Sequence, residues 1–398
     1  VFASSFYALT KAIKGSIDEA IDFQRELVRI RQVSGVSLKD LKGLTDEITH
    51  LATSFGVSSK KILNSAQVLA QAGFSIKEIN KAATTLAKIE LAPTFENITD
   101  ATEGMIAIMG QFGTTADDFE KQFGAINAVS AKFAVESSDI ITAVRRTGGA
   151  FAAAGGELND LIALFTSVRQ TSRESAETIA TGFRTIFTRI QRPRTVDLLE
   201  KLGINLRDDV TKQFVGPYEA VKKLSAALNA IPSTDVRFAQ ITEELGGFRQ
   251  IGKVIPLIKQ FNVAEQAKIV ALRAEGSLTA DAAKAQDAFS IKLTKVREEF
   301  QAFIRTVSDN SVFKVMLDQT LQLGSALAKL AGSLEKILPL LVAAGAAKLG
   351  QAAIPFGKGF LPGVGLQGGK SAALGGLAAG SVILPSILDS FGLLNEET

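Results

Sequence analysis

The 398-residue chain contains no cysteine and a single histidine, His50. Disulfides, thiolate metal sites and thiol nucleophiles are therefore excluded, and a Ser-His-Asp triad would have to use His50. The sequence has no Gly-x-Ser-x-Gly nucleophile elbow. Asp46 and Glu47 lie about one helical turn before His50, but this spacing is more typical of a solvated helix face than of a metal site. We expect a protein that is not an enzyme, with no catalytic, cofactor-binding or metal-binding residues.

The chain also lacks a large excess of charge of either sign. Lysine and arginine number 44 against 41 acidic residues, a formal net charge of +3, whereas a dedicated nucleic-acid binder would be strongly basic. Tryptophan is absent and tyrosine occurs twice, but phenylalanine occurs 25 times. Phenylalanine at helical intervals is more typical of core packing than of base stacking. The composition predicts no specific nucleic-acid site.

The start of the chain lacks both a methionine and a charged-then-apolar leader, and an amphipathic pattern begins almost at once. We therefore expect a segment of a longer polypeptide. Hydrophobic residues make up 46% and charged residues 21%, so the chain should mostly fold. Its length predicts two or three domains or one extended helical array.

Helical periodicity dominates the first half. Over residues 17–31 the apolar side chains fall on one side of a helical wheel and the charged ones on the other. Three similar loops then separate helix-period segments: Gly35-Val36-Ser37, Gly56-Val57-Ser58 and Gly73-Phe74-Ser75. In each loop glycine suits the left-handed position that ends a helix, the apolar residue packs back, and serine caps the next helix. Because no segment alternates with a two-residue period between hairpin turns, the predicted fold is all-α.

Further helix starts and breaks follow from local signals. Capping-box spacing predicts helix starts at three pairs: Ser75 with Glu78, Asp100 with Glu103, and Thr171 with Glu174. After Pro193 we expect shorter helices with breaks near Gly216-Pro217, Pro232 and Gly246-Gly247. The first half is thus predicted to be an array of short helices.

From about Asp281 the apolar period becomes heptad-like. One run comprises Phe289, Leu293, Val296, Phe300, Phe303 and Val307, and a second comprises Leu323, Leu327, Leu330, Leu334, Ile337 and Leu341. The turn-favouring residues 308–311 lie between them, so a helical hairpin and a continuous rod are both compatible with the pattern.

The end of the chain is rich in glycine, proline and apolar residues. No acidic residue occurs between Lys336 and Asp389, and Lys348, Lys358 and Lys370 separate the apolar stretches. The uncharged run 371–388 barely reaches the roughly 18 residues of a membrane span, and its glycines and proline weaken it as a helix. It is a weak membrane candidate.

Four regions are therefore predicted. They are a helical core over 1–195, shorter helices over 196–280, coiled-coil-like helices or a helical hairpin over 281–338, and a Gly/Pro-rich apolar segment over 339–398.

Two local clusters could have a functional role. Gly148-Gly149 and Gly155-Gly156 flank an alanine-rich stretch, but no Walker or dinucleotide motif accompanies them, so we predict close helix packing. A basic run could contact DNA or an acidic wall, although a solvated helix C-terminus explains it more simply. That run comprises Arg184, Arg189, Arg192, Arg194 and Lys201.

The first 195 residues resemble the core region of the tail tape measure proteins of long-tailed bacteriophages. The matching elements occur in the family's order: Ile17-Asp18-Glu19-Ala20, Val33-Ser34-Gly35, residues 44–54 before Gly56-Val57-Ser58, Leu69-Ala70-Gln71-Ala72-Gly73, Ile108-Met109-Gly110-Gln111-Phe112-Gly113, residues 150–164, and residues 175–184. Each element alone is weak, whereas their order over half the chain is fairly specific. The heptad region and Gly-rich stretch that follow are similar to what such proteins carry after the core.

The resemblance implies a structural role in the virion. Several copies would lie inside the tail tube, set its length during assembly in the host cytoplasm, and leave ahead of DNA at infection. The implied partners are the tail tube protein, tail tip or distal tail proteins, tail assembly chaperones, further copies of the chain and, through the apolar segment, the host membrane. Peptidoglycan-cleaving domains of some relatives have no counterpart here.

Three other hypotheses remain compatible with the residues. The chain could be a membrane-interacting, pore-like helical protein that inserts residues 337–388, a helical scaffold or repeat protein from a non-viral source, or a hydrolase without a recognisable motif. Helical sequence of several hundred residues on either side would favour the tape measure.

Overall fold

The computed structural model describes residues 2–308, and these residues confirm the predicted all-α fold. Their helices are α1 (Phe2–Ser34), α2 (Leu38–Phe55), α3 (Ser59–Gln71), α4 (Ile76–Ile89), α5 (Ile98–Phe112), α6 (Phe119–Lys132), α7 (Ser137–Ala153), α8 (Leu158–Ser172), α9 (Ala176–Ile190), α10 (Pro193–Lys201), α11 (Pro217–Asn229), α12 (Val236–Lys259), α13 (Phe261–Leu272), α14 (Ser277–Ala285) and α15 (Phe289–Ser308). A 3-10 turn, Ala116–Asp118, precedes α6. Extended pairing in the described range is limited to an isolated bridge between Arg207 and Phe214.

The chain divides into two compact units. One comprises residues 22–299, and the other comprises residues 1–21 together with 300–398, of which 2–21 and 300–308 are described.

The three Gly-apolar-Ser loops form the helix junctions predicted for them. Gly35, Gly56 and Gly73 all have positive φ. After α2, the amides of Gly56 and Val57 both donate to the carbonyl of Ala52, and Val57 is buried. Ser58 then accepts a hydrogen bond from the amide of Lys61 at the start of α3. Each loop thus satisfies the free backbone groups of one helix end and of the next helix start.

Of the three predicted capping boxes, only Ser75 with Glu78 is present. The Asp100 pair is wrong, because Asn97 caps α5 by accepting from the amide of Asp100. The Thr171 pair is also wrong. Thr171 lies inside α8, where its hydroxyl donates to the carbonyl of Ser167, and Ser175 caps α9 instead. Both corrected caps lie within four residues of the predicted ones, where several cap-forming side chains compete for one helix start.

The core of the 22–299 unit is one apolar cluster that runs from Phe23 to Ala282. α13 packs against α8, and α12 packs against α9, so the shorter helices after Pro193 complete the same core as the first half. Seven phenylalanines are among its largest fully buried side chains: Phe23, Phe119, Phe123, Phe151, Phe165, Phe183 and Phe187. Phe151 and Phe187 meet edge to face at 4.7 Å between ring centroids, a favourable arrangement for aromatic pairs. The prediction of phenylalanine as core packing is confirmed.

The breaks predicted after Pro193 occur at the expected places. Gly216 has a φ of 87° immediately before α11, and Pro232 lies between α11 and α12. At Gly247 the backbone adopts φ 60° and ψ 177° inside α12, which therefore consists of two helical halves that meet at a kink. This conformation is essentially restricted to glycine.

The first heptad run lies on α15, and its apolar seam is only partly covered in the described part of the chain, since Leu293 and Phe300 are half-buried. Val296 is 52% and Phe303 is 39% exposed, whereas the polar residues Glu298 and Gln301 are buried. The amide of Gln301 donates to Ser16 and Glu19. Three predicted features lie outside the described residues: residues 309–311 of the turn, the second heptad run, and the apolar segment 339–398. Within residues 2–308 no helix combines the length and hydropathy needed to cross a bilayer.

Candidate functional site

His50 lies exposed on α2, with its Nδ1 3.4 Å from the hydroxyl of Ser54. Asp46 is exposed on the same helix. In the described part of the chain no three or more histidine, aspartate or glutamate side chains approach closely enough to hold a metal ion. The structure therefore places His50 on a solvated helix face.

The basic run forms one side of a charged cleft of about 780 Å³. Its cations are Arg189, Arg194 and Lys201, and its carboxylates are Asp197, Glu243 and Glu244. Cations and carboxylates line the cleft together, and Asp197 also pairs with Arg207 at 2.7 Å, so the lining is not the continuous basic surface that a nucleic-acid backbone requires. The two glutamates belong to α12, about fifty residues from the arginines in sequence. Sequence reasoning missed them because only tertiary packing brings α12 beside α9 and α10.

Arg189 has a structural part in this cleft. Its guanidinium donates to the carbonyl of Glu244 at 3.5 Å, close to the kink at Gly247. The side chain of Glu244 in turn accepts a hydrogen bond from the buried Thr195 hydroxyl at 2.8 Å. The run is therefore divided: Arg189 stabilises the end of the first half of α12, whereas Arg184, Arg192 and Arg194 are exposed.

The glycine pairs also separate into different roles. A Cβ added at Gly148 would overlap the side chains of Gln111 and Phe112, so α7 approaches the end of α5 closely at this point. The close packing predicted for this pair is confirmed at Gly148 but not at Gly149, whose nearest neighbour would lie 4.0 Å away. Gly156 is also closely packed, because a Cβ there would lie 2.2 Å from the buried Phe151 ring, whereas Gly149 and Gly155 have open space around them. Gly149, Gly155 and Gly156 line an open groove of about 770 Å³ between the ends of α5 and α7 and the start of α8. The groove walls carry Phe112, Glu157 and Leu158 and otherwise mainly glycine and alanine.

A partly buried ion pair joins α8 to α13. Lys268 Nζ lies 2.5 Å from Asp160 Oδ1 and 4.0 Å from the centre of the Tyr218 ring. Burial raises the pKa of the Asp160 carboxyl, which Lys268 opposes. Burial, with help from the carboxylates of Glu265 and Asp160, raises the pKa of Tyr218 to about 12. These groups hold helices together; no nucleophile adjoins them among the described contacts.

A second polar cluster lies where α14 meets α6. The fully buried Asn127 donates from Nδ2 to Ser277 Oγ at 2.7 Å and to Asp281 Oδ2 at 2.8 Å, and it accepts from the Thr94 hydroxyl. Nearby, Glu120 accepts from Lys88 and Thr279, both at 2.7 Å. Burial opposes ionisation of Glu120, but these two donors lower its pKa overall. All buried polar groups of Asn127 are thus paired.

The polar clusters of the described residues thus lie between helices and join them. No solved structure matches the chain. A model of the family described as "Phage-related minor tail protein" matches residues 8–247, which is more than half of the chain. The matched residues include α2 to α11, with the three Gly-apolar-Ser loops and the charged cleft. The chain belongs to the phage-related minor tail protein family.

Proposed function

We propose that the chain is a segment of a tail tape measure protein, which sets the length of the phage tail tube during assembly and is released ahead of DNA at infection. The observation that carries the proposal is the match to phage-related minor tail proteins over the folded helical core. The heptad-patterned sequence that follows this core is the second support.

A helical chain is a suitable ruler because its rise is constant. At about 1.5 Å per residue, the number of residues in an extended helix converts directly into length. The 22–299 unit is unsuited to that task, since its helices fold back on one core. We therefore assign the measuring role to the heptad-patterned sequence and an initiating or tip-binding role to the core.

The proposed partners follow from this role. They are the tail tube protein, the tail tip or distal tail proteins, tail assembly chaperones and further copies of the chain within the tube. The proposed location is the inside of the virion tail, after assembly in the host cytoplasm. The mixed charge of the cleft on α9, α10 and α12 supports protein partners rather than DNA for this surface.

The test is tail length in a phage assembled with the altered chain. Deletion of residues 323–336 removes two heptads, so tails assembled with the shortened chain should be about 21 Å shorter. Exchange of the same residues for another sequence of equal length and heptad pattern is the control, and tail length should then stay unchanged. Averaged electron micrographs measure both.

Deletion of a core helix should give a different outcome. Removing α8 destroys the packing with α13, so it should reduce the number of tails rather than shorten them. Tails of normal length after the heptad deletion would overturn the measuring role, while leaving membership of the tail protein family untouched.

A further inference from the structure

Residues 276–299, which we call the strap, comprise α14 and the first half of α15. They follow the last residue that the family match covers. The strap packs against α4 and α6. Among its described side chains Leu278 and Ala282 are the fully buried apolar residues, and Ala285 and Ile291 are partly buried against the core. Because apolar burial scales with the area removed from water, so few buried groups hold the strap far less firmly than the core helices are held.

Polar contacts supply the first attachment of the strap. Asn127 of α6 bonds to Ser277 and Asp281, and Glu120 of α6 bonds to Thr279. These hydrogen bonds specify where α14 docks. On detachment water can replace each partner, so each bond makes only a modest net contribution to docking, which is larger for the two bonds to carboxylates. The attachment is therefore specific but weak.

The second attachment lies at the turn between α2 and α3. A Cβ added at Gly56 would lie 2.7 Å from the carbonyl oxygen of Ile291 and 2.9 Å from Cγ of Lys295. The strap thus passes directly over the backbone of Gly56. Gly73 ends α3 in the same type of loop with positive φ, yet an added Cβ there would meet nothing within 4 Å. Only Gly56 combines the left-handed turn with a contact to the strap.

The two attachments are mechanically connected. Lys295 Nζ of α15 donates to Gln286 Oε1, just after α14, at 3.1 Å. The strap therefore bridges α6 and the α2–α3 turn as one piece. The docked strap therefore connects α6 to the α2–α3 turn, in addition to the packing of the core helices.

We propose that the strap is a detachable clasp, which opens as a unit while the apolar core from α2 to α13 stays folded. Opening frees both the α2–α3 turn and the α14-binding face of α6. This local opening does not depend on the measuring role, so the two proposals fail separately.

Hydrogen exchange of the full chain, followed by mass spectrometry, tests the clasp. In the unaltered protein, amides of residues 276–299 should exchange by local opening, faster than those of α6 and α8. Gly56→Ala should raise the exchange of the strap by about tenfold or more, because the new Cβ displaces Ile291. The matched control is Gly73→Ala, which adds the same methyl group in the same turn type but contacts nothing; it should leave strap exchange unchanged.

Two results overturn the proposal. One is exchange of residues 276–299 in step with α6 and α8 in the unaltered protein, which would mean that the strap opens only with the whole core. The other is equal strap exchange in Gly56→Ala and Gly73→Ala. Should Gly56→Ala fail to fold, Thr279→Ala replaces it. Its control is Thr294→Ala, since the Thr294 hydroxyl bonds to the Ser290 carbonyl of its own helix.

Discussion

Single side chains stabilise the core through their charge and their volume. Lys268 places its ammonium between Asp160 and the ring of Tyr218, so one residue neutralises a buried carboxylate and contacts an aromatic face. A buried ion pair is weak evidence for stability in itself, but removal of one partner leaves an unpaired buried charge. The dependence of the core on Lys268 should therefore vary with pH.

The first prediction is that Lys268→Met costs about 1–3 kcal/mol at pH 7, less than the loss of one partner from a fully buried pair because solvent reaches Lys268. Burial already raises the pKa of Asp160 above its ordinary value of 3.8, and loss of Lys268 raises it further. The folded variant then binds more protons than the unfolded chain between these two values, so its stability rises as the pH falls through the raised pKa. The penalty should shrink accordingly towards pH 4.

Urea unfolding at a series of pH values measures this effect. Lys222→Met is the control, because Lys222 pairs with Glu219 across 3.7 Å at the surface, and exposed pairs contribute about 0–1 kcal/mol. A Lys268→Met penalty that is the same at pH 7 and pH 4 would show that the lysine acts by packing alone.

The second prediction compares two adjacent glycines. Gly148→Ala forces Gln111 and Phe112 to move, whereas Gly149→Ala enters nearly open space, with its nearest neighbour at 4.0 Å. Alanine favours a helix over glycine by about 1 kcal/mol at either position. We therefore expect the Gly148 variant to be less stable than the Gly149 variant by about 1–3 kcal/mol. Thermal unfolding of the pair is the measurement, and equal midpoints would contradict close packing of α7 on α5.

At the scale of elements, short loops decide where helices begin. Asn97 Oδ1 accepts from the backbone amide of Asp100 at 2.9 Å, and Asn97 Nδ2 donates to the Asp100 carboxylate at the same distance. Ser75 and Glu78 form the reciprocal arrangement at the start of α4, where the Ser75 hydroxyl lowers the pKa of Glu78. These contacts satisfy amides that have no partner within the helix.

The third prediction tests the corrected caps. Asn97→Ala should destabilise the chain by about 1 kcal/mol, since the α5 start loses its side-chain acceptor. Thr171→Ala should change stability by no more than about 0.5 kcal/mol, because Thr171 is an exposed residue inside α8 whose hydroxyl bonds only within that helix. Denaturant unfolding compares them. A larger loss for Thr171→Ala would restore the capping role that the spacing suggested.

At the scale of the whole molecule, lipid binding by the apolar sequence 339–398 would distinguish a membrane-inserting protein from one that stays inside the tube. Its acidic residues are absent between Lys336 and Asp389, while three lysines separate the apolar stretches. Long lysine stems can keep their ammonium groups near lipid headgroups while the apolar stretches are buried. Glycine and proline disfavour a simple span, so any binding should be interfacial or oligomeric.

The fourth prediction is that the full chain floats with anionic liposomes and that a chain ending at residue 336 does not. Neutral liposomes should bind the full chain less, because the lysines contribute electrostatic attraction only to anionic lipid. If both chains stay at the bottom of the gradient in the presence of anionic and of neutral liposomes, the membrane role is overturned and the role inside the tube remains.

Much of the fold could be predicted because its signals are local. Gly35, Gly56 and Gly73 end helices through their own backbone freedom, and the following serines cap the next helices through bonds spanning three residues. Such contacts need no distant partner, so the sequence by itself determined the all-α class and these junctions. The order of the sequence elements that resemble the family is likewise visible in the sequence.

The tertiary structure decided which faces meet. Glu243 and Glu244 line the same cleft as Arg189 and Arg194, Lys268 pairs with Asp160, and Ile291 covers Gly56, although these residues are widely separated in sequence. Periodicity identifies an apolar face but not the surface that covers it, so the heptad pattern of α15 could not show that Val296 and Phe303 are exposed among the described residues. The burial of side chains, the charge of the cleft and the docking of the strap all depend on contacts between residues that are far apart in sequence. Only the folded structure shows those contacts.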